Sequence, residues 1–242
     1  MRNYNLKLQM NSLVIILLSA VLGTGCGKKT VTPTKTDTVV TTKPPTDNYK
    51  DPAAYGTPFD KVPDTKDIVM YEVNLRSFSV SHNFKGVQDR LDSIRALGVN
   101  TIWLMPTYPV GVLKSAGGLG SPYAVKDYNG VNAEFGTLDD LRALVAEAHN
   151  RNMAVLMDWV ADHTSWANAW ITNKSWYKQD GSGNIVSPPG TGWNDVAALD
   201  YTNSAMRTAM IRAMKFWVLT ANVDGYPCDA VDFVPDDFWK QQ

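Results

Sequence analysis

Ala154-Val155-Leu156-Met157-Asp158-Trp159-Val160-Ala161-Asp162-His163-Thr164-Ser165-Trp166 is the stretch that decides the fold of this chain. Four apolar residues run into Asp158, and Asp162, His163 and Thr164 follow before any helical period can begin. A short apolar run fits a buried strand or a buried helix, so the flanks must choose. Arg151-Asn152 breaks the preceding segment and Ser165 follows the polar cluster, which leaves too few residues for a helix. The stretch therefore predicts a strand buried on both faces that delivers polar groups at its C-terminal end, where the chemistry of parallel barrels collects. For one strand alone, a loop-capping Asp158 and a hydrogen-bonded turn residue His163 explain the pattern equally well. Its recurrence along the chain favours the functional reading.

Upstream, Ile68 to Val73 predicts a first strand that ends in Asn74-Leu75-Arg76-Ser77-Phe78. After a loop containing His82, a helix is predicted from about Lys85 to Leu97, with Val87, Leu91, Ile94 and Leu97 at helical spacing and Gly98 as its stop. Val99 to Met105 is a second strand closed by Pro106. A loop with Gly117, Gly118 and Gly120 leads to Ser121-Pro122-Tyr123-Ala124-Val125-Lys126-Asp127-Tyr128. Thr137 can then cap a helix with Leu138, Leu141, Leu144, Val145 and Ala148 on its inner face, and Asp139-Asp140 suit its positive N-terminal end.

Downstream lies the longest insertion, carrying Trp166, Trp170, Trp176, Trp193 and Asp195. A helix from about Ser204 with Met206, Met210, Ala213 and Trp217 inward then precedes a fourth strand, Val223 to Val231. Strands alternating with helices predict an α/β fold with a parallel sheet, either open or closed into a barrel. No G-x-G-x-x-G opens a helix after the first strand, and no phosphate-binding G-x-x-x-x-G-K-[ST] occurs.

The 242 residues are 44% hydrophobic and 19% charged with a net charge of −1, an ordinary globular composition that argues against a nucleic-acid partner. At the N-terminus, Arg2 and Lys7 precede the apolar stretch Leu13 to Leu22, too short to span a bilayer, and Leu22-Gly23-Thr24-Gly25-Cys26 places small residues before a cysteine. Residues 1–26 are expected to be a bacterial lipoprotein signal with Cys26 as the lipidated residue; simple secretion is the alternative. The Thr, Lys, Pro and Asp that follow hold too little apolar surface to offset their ordering entropy, so residues 27–66 are expected to be a tether. The folded domain is expected over 67–242, with its insertion at about 164–202. Cys228 is then a small buried residue, and no Cys/His cluster has zinc spacing.

Three ordered stretches from about Asp67 to Trp239 resemble glycoside hydrolase family 13, the α-amylase family, and in particular the lipoprotein amylases of starch-using bacteria. Asp158-Trp159-Val160-Ala161-Asp162-His163 is similar to D-x-x-x-N-H, and Gly225-Tyr226-Pro227-Cys228-Asp229-Ala230 to G-[FY]-R-x-D-[AV]. Ser121 to Tyr128 resembles the segment that brings a tyrosine against the cleaved sugar. The resemblance implies the first half, about four strand–helix units, of a (β/α)8 TIM barrel. It implies Asp229 as the nucleophile of a retaining α-glucan hydrolase, Tyr123 as a sugar-stacking residue, His163 as a ligand of sugar hydroxyls, and Asp158 and Asp162 as structural support. The insertion tryptophans would offer flat faces to sugar rings. Such chemistry uses two carboxyl groups about 5 Å apart, one attacking and one protonating the leaving oxygen.

The sequence departs from the family in three ways. Pro227 stands where the family has an arginine that keeps the nucleophile ionised, and Asp162 stands where it has asparagine. The family's general acid, a glutamate after strand five, falls beyond Gln242, so an N-terminal fragment lacking that acid is expected. No metal is assigned, and calcium is left open through Asp162. The expected partners are an α-glucan and a membrane reached through Cys26, with the protein exported across the inner membrane to the outer membrane or cell surface. The competing reading is a non-catalytic surface glucan-binding lipoprotein, which Pro227 favours.

Overall fold

A computed structural model describes residues 48–241; the expected signal, Cys26 and the tether up to residue 47 lie outside the described residues. Strands β1 (Met70–Val73), β2 (Thr101–Leu104) and β3 (Ala154–Met157) pair in parallel in chain order, with Met70 beside Thr101 and Thr101 beside Ala154. Beyond Asp158, β4 (Trp159–Val160) resumes the same strand direction. An antiparallel pair, β5 (His163–Ser165) and β6 (Val196–Ala198), brackets the insertion. The last strand, β7 (Cys228–Asp229), runs parallel to β4 with Val160 opposite Asp229, and a further parallel bridge joins Leu156 to Gly225. Four parallel strand lines thus lie side by side in the order of the chain, joined by helices: a partial barrel.

Six helices accompany them: α1 (Leu75–Phe78), α2 (Phe84–Gln88), α3 (Leu91–Ala96), α4 (Leu138–Asn150), α5 (Ser204–Ala221) and α6 (Asp236–Trp239). Thr137 closes a capping box on α4: its hydroxyl accepts the Asp140 N–H (3.2 Å) while Asp140 accepts the Thr137 N–H (2.8 Å). Asn203 caps α5 by accepting from Ala205 and Met206, and Asn222, at φ 58°, ends it in the left-handed region that Asn tolerates. Under these helices, Val73, Ile102, Leu104, Val155 and Met157 are at most 1% exposed. Each such side chain contributes about 1.5–3 kcal/mol of burial free energy. The opposite sheet face carries Met70, Glu72, Trp103 and Leu156, which are exposed or half-buried.

Several elements differ from expectation. The helix predicted over 85–97 is two helices separated at Asp89-Arg90. α2 approaches the preceding loop so closely that a Cβ on Gly86 would lie 2.0 Å from the Ser79 hydroxyl, a place only glycine fits. Val87, Leu91 and Ile94 face inward as predicted, but Leu97 falls past the last turn and is 70% exposed. The fourth strand is shorter than Val223 to Val231: its ladder is interrupted at Tyr226-Pro227 and ends at Ala230, whose φ is 47°.

The tether expected over 27–66 also differs in its described part. Residues 48–66 form a strap on α4 and α5. Asp51 pairs with Lys215, the Tyr55 N–H donates to Leu219 O (2.6 Å), and Asn222 donates to Thr57 O (2.9 Å). Phe59 stacks on His149 with ring centroids 4.3 Å apart and planes 7° from parallel, and Lys61 donates to Asn152. Tyr55 and Phe59 supply the apolar surface that the rest of that polar segment lacks. If the strap is part of the fold, Phe59→Ala should destabilise the protein by about 1–2 kcal/mol in urea unfolding. A free tether at that position would leave the midpoint unmoved.

Candidate active site

The strand end at 158–163 outruns its sheet partners, and three buried tyrosines take over. Tyr108 donates to Asp158 O (2.9 Å), Tyr201 donates to Ala161 O (2.8 Å), and the Tyr128 hydroxyl lies 2.7 Å from Val160 O and 2.8 Å from His163 O. Burial pushes all three phenols well above their ordinary range, so they stay protonated as donors. Trp159 and Trp217 pack among Tyr108 and Tyr128, and the Trp217 N–H donates to Tyr128 O. The polar end of this strand is therefore held rigidly in an apolar surround.

On that platform, Asp158 is buried. Its Oδ2 accepts from Trp103 Nε1 (3.1 Å) and lies 3.5 Å from the Tyr123 hydroxyl, while Oδ1 has no partner. Burial, with Asp229 and Glu72 adding to it, pushes its carboxyl up to about 7. Asp162 and His163 are buried side by side, Oδ2 2.7 Å from Nδ1. The other ring nitrogen, Nε2, lies 3.2 Å from Tyr123 O. His163 thus borders the pocket, but both its nitrogens already face oxygens, and this limits the sugar-ligand role that the resemblance implied.

Tyr123 arrives on the Gly-rich loop, which Arg76 ties down from the end of β1. The Arg76 guanidinium donates to Gly120 O (2.8 Å) and Leu119 O (3.0 Å) and pairs with Glu134. Asp229 arrives at the end of β7, half-buried. Burial raises its carboxyl above the usual range and Asp162 raises it further, while His163 and the Ala230 N–H oppose the rise. Pro227 brings no cation to either carboxylate; its carbonyl accepts the Trp159 N–H at 2.9 Å. Cys228, half-buried rather than fully buried, is pushed up to about 11 by burial and by Asp158.

Tyr123, His163 and Asp229 line one cavity of about 270 Å³, together with Ser121, Trp193, Asp195 and Val196. Asp158 and Asp162 stand behind that lining and do not reach it. Trp170 and Trp176 pack on Tyr128 and on each other, and Lys114 sits over Trp166, so among the insertion tryptophans only Trp193 presents itself to the cavity. Trp193 is one of the insertion tryptophans expected to face sugar, whereas the motifs did not point to Asp195, Trp103 or Arg76. For Arg76, the one available signal was a cation directly after a strand end.

A calcium ion takes about six to eight oxygen ligands. Asp162 offers one unpartnered buried oxygen, Oδ1, and no group of three His, Cys, Asp or Glu among the described residues could hold a metal.

The family model described as the α-amylase catalytic domain matches residues 54–183. The chain is 28% identical over 207 residues to alpha-amylase 3 of Dictyoglomus thermophilum, covering 73% of this chain and 40% of that one. It superposes on the crystal structure of an alpha-amylase from Lactobacillus plantarum with a TM-score of 0.69 at 39% identity, covering 73% of this chain and 41% of that one. For the acarbose complex of an alpha-amylase from Geobacillus thermoleovorans the TM-score is 0.60 at 29% identity, with 73% and 43% covered. The chain thus spans about two-fifths of the length of these relatives.

The raised carboxyl of Asp158 has a measurable consequence. A carboxyl whose folded pKa lies above its unfolded value stabilises fully at pH below the unfolded value, and that stabilisation is lost as pH climbs through the folded one. With Asp158 moved from 3.8 to about 7, stability should fall between about pH 4 and 7. The slope is at most about 1.4 kcal/mol per pH unit. Asp158→Asn should flatten that fall in urea titrations, whereas parallel profiles would show that Asp158 ionises normally.

Proposed function

This chain belongs to the α-amylase family, glycoside hydrolase family 13, and on that footing we propose that it carries the nucleophile half of a retaining α-glucan hydrolase site. The observation that supports this most is the convergence of Asp229, Tyr123 and His163 on one cavity from three separate elements. In this proposal a glucose unit stacks on Tyr123, and a carboxylate oxygen of Asp229 attacks its anomeric carbon. The bond to the leaving oxygen breaks, that oxygen takes a proton from a second carboxyl group, and water later hydrolyses the glycosyl-enzyme ester. Asp158 holds the Tyr123 hydroxyl and Asp162 holds His163, which makes both positioning residues. Asp158 has the elevated pKa of an acid catalyst, yet its burial at 1% exposure keeps it from the leaving oxygen.

The raised carboxyl of Asp229, with proline where a cation would favour its ionised form, supports a second reading: a surface protein that binds glucan without turning it over. An activated glycosyl donor separates the two, because a fluoride leaving group needs little acid assistance. Incubation with 5-fluoro-α-glucosyl fluoride should add one fluoroglucosyl group to the peptide containing Asp229, as read by mass spectrometry, and Asp229→Asn should abolish the adduct. Pro227→Arg should shift the pH profile of labelling toward lower pH, because a neighbouring cation favours the ionised form of Asp229. Glucan binding without any adduct, in the wild type and in Pro227→Arg alike, would favour the second reading.

The N-terminal features extend the proposal to a protein exported across the inner membrane and anchored at the outer membrane or cell surface through a lipid on Cys26. Expressed in a Gram-negative host fed an alkyne fatty acid, the chain should become labelled, and Cys26→Ser should not. Equal labelling of both would refute the anchor.

A further inference from the structure

The wall that carries Tyr123 is held at its root by a residue outside the cavity, Arg76. This residue stands in α1 directly behind β1, with its backbone N–H on the Asn74 side chain (3.1 Å) and its own side chain only 17% exposed. One terminal nitrogen of the guanidinium donates to Gly120 O (2.8 Å), the other to Leu119 O (3.0 Å), and Nε pairs with Glu134 (3.3 Å). The two carbonyls meet one cation at a turn where Gly120 has φ 72°, in the left-handed region that favours glycine. A Cβ there would also lie 2.8 Å from Val110 Cγ1 and 2.9 Å from the Ser115 hydroxyl. The fork of Arg76 and the bare backbone of Gly120 are therefore two halves of one device.

That device marks a boundary in the loop. On its outer side Val112, Leu113 and Leu119 are exposed, while on its inner side Ser121 and Tyr123 line the cavity. The Tyr123 ring reaches Asp158 only at 3.5 Å, the outer limit of a hydrogen bond, so its place is set chiefly from the backbone. We infer that Arg76 and Gly120 form a clamp that positions Tyr123; Arg76 does not line the cavity and acts through the loop, as a positioning residue. The effect on sugar rests on the glucan reading above, whereas the clamp itself does not. Without the fork, the wall takes several positions, and only one presents the ring to a glucose unit. A smaller competent fraction weakens apparent affinity in proportion and leaves the rate of the bound complex unchanged.

The test is the donor-concentration dependence of Asp229 labelling by 5-fluoro-α-glucosyl fluoride in the full chain. It compares wild type, Arg76→Ala, Arg76→Lys and Gly120→Ala, each shown to be folded by circular dichroism. Arg76→Ala should raise the half-saturating donor concentration by roughly tenfold and keep the saturated rate within about twofold of wild type. Gly120→Ala should show the same split, and Arg76→Lys should recover little of it, because an ammonium is a point charge without the fork. Full recovery in Arg76→Lys, or a fall in saturated rate at unchanged half-saturation, would overturn the inference. A sugar-free readout is fluorine NMR of the chain carrying 3-fluorotyrosine, with the Tyr123 resonance assigned through Tyr123→Phe. Arg76→Ala should split or broaden that resonance, and an unmoved resonance refutes the clamp. If wild type takes no label, the glucan reading fails and the resonance alone decides on the clamp.

Discussion

The site depends on one strand line that has to satisfy its backbone in two different ways. From Ala154 to Trp159 its N–H groups alternate between neighbours: Ala154 donates to Asn100 O and Asp158 to Leu104 O on one side, Met157 to Gly225 O and Trp159 to Pro227 O on the other. Past Val160 that ladder ends while the chain is still buried, and an unpaired buried carbonyl costs free energy comparable to a lost hydrogen bond. Tyr108, Tyr128 and Tyr201 remove that cost with their hydroxyls. Polar residues can then occupy the strand end without loosening it, and Asp158, Asp162 and His163 stand at defined positions beside Asp229.

That rigidity has an electrostatic counterpart. Burial raises the carboxyls of both Asp158 and Asp229; Asp229 and Glu72 add to the rise at Asp158, and Asp162 adds to the rise at Asp229. Two buried carboxyl oxygens, Asp158 Oδ1 and Asp162 Oδ1, are left without partners. Each is an acceptor facing a void in the charge pattern, and Pro227 occupies the position where the resemblance puts an arginine. The carbonyls of Asp158, Val160, Ala161 and His163 thus have partners while the charge of the site is not balanced. Stability here and reactivity at Asp229 respond to the same missing cation.

The sequence disclosed the fold at the level of strand lines, since Ala154 to Met157, Thr101 to Leu104 and Met70 to Val73 are apolar runs bounded by strong breakers. It also disclosed Thr137, Asn152 and Gly98, because cap and stop chemistry is local. It could not disclose the break at Asp89-Arg90, where no proline or glycine stands, nor the strap of residues 48–66, whose few aromatics gain meaning only against α4 and α5. At the site, motif spacing led to Tyr123, His163 and Asp229. Trp193 and Asp195 come from a loop with no periodicity, and only the pairing of β6 with β5 brings them to the cavity.

The same contrast explains why the two walls differ in kind. Tyr123, Asp158, His163 and Asp162 form a linked chain of contacts in which each polar group is fixed by another, so a change in one propagates to the rest. Trp193 is held by its N–H bond to the Thr191 hydroxyl and by ring contacts with His163 and Phe233, and it lines the cavity together with Asp195. A fold that separates these duties can keep its reacting group constant and vary its selectivity from a single loop.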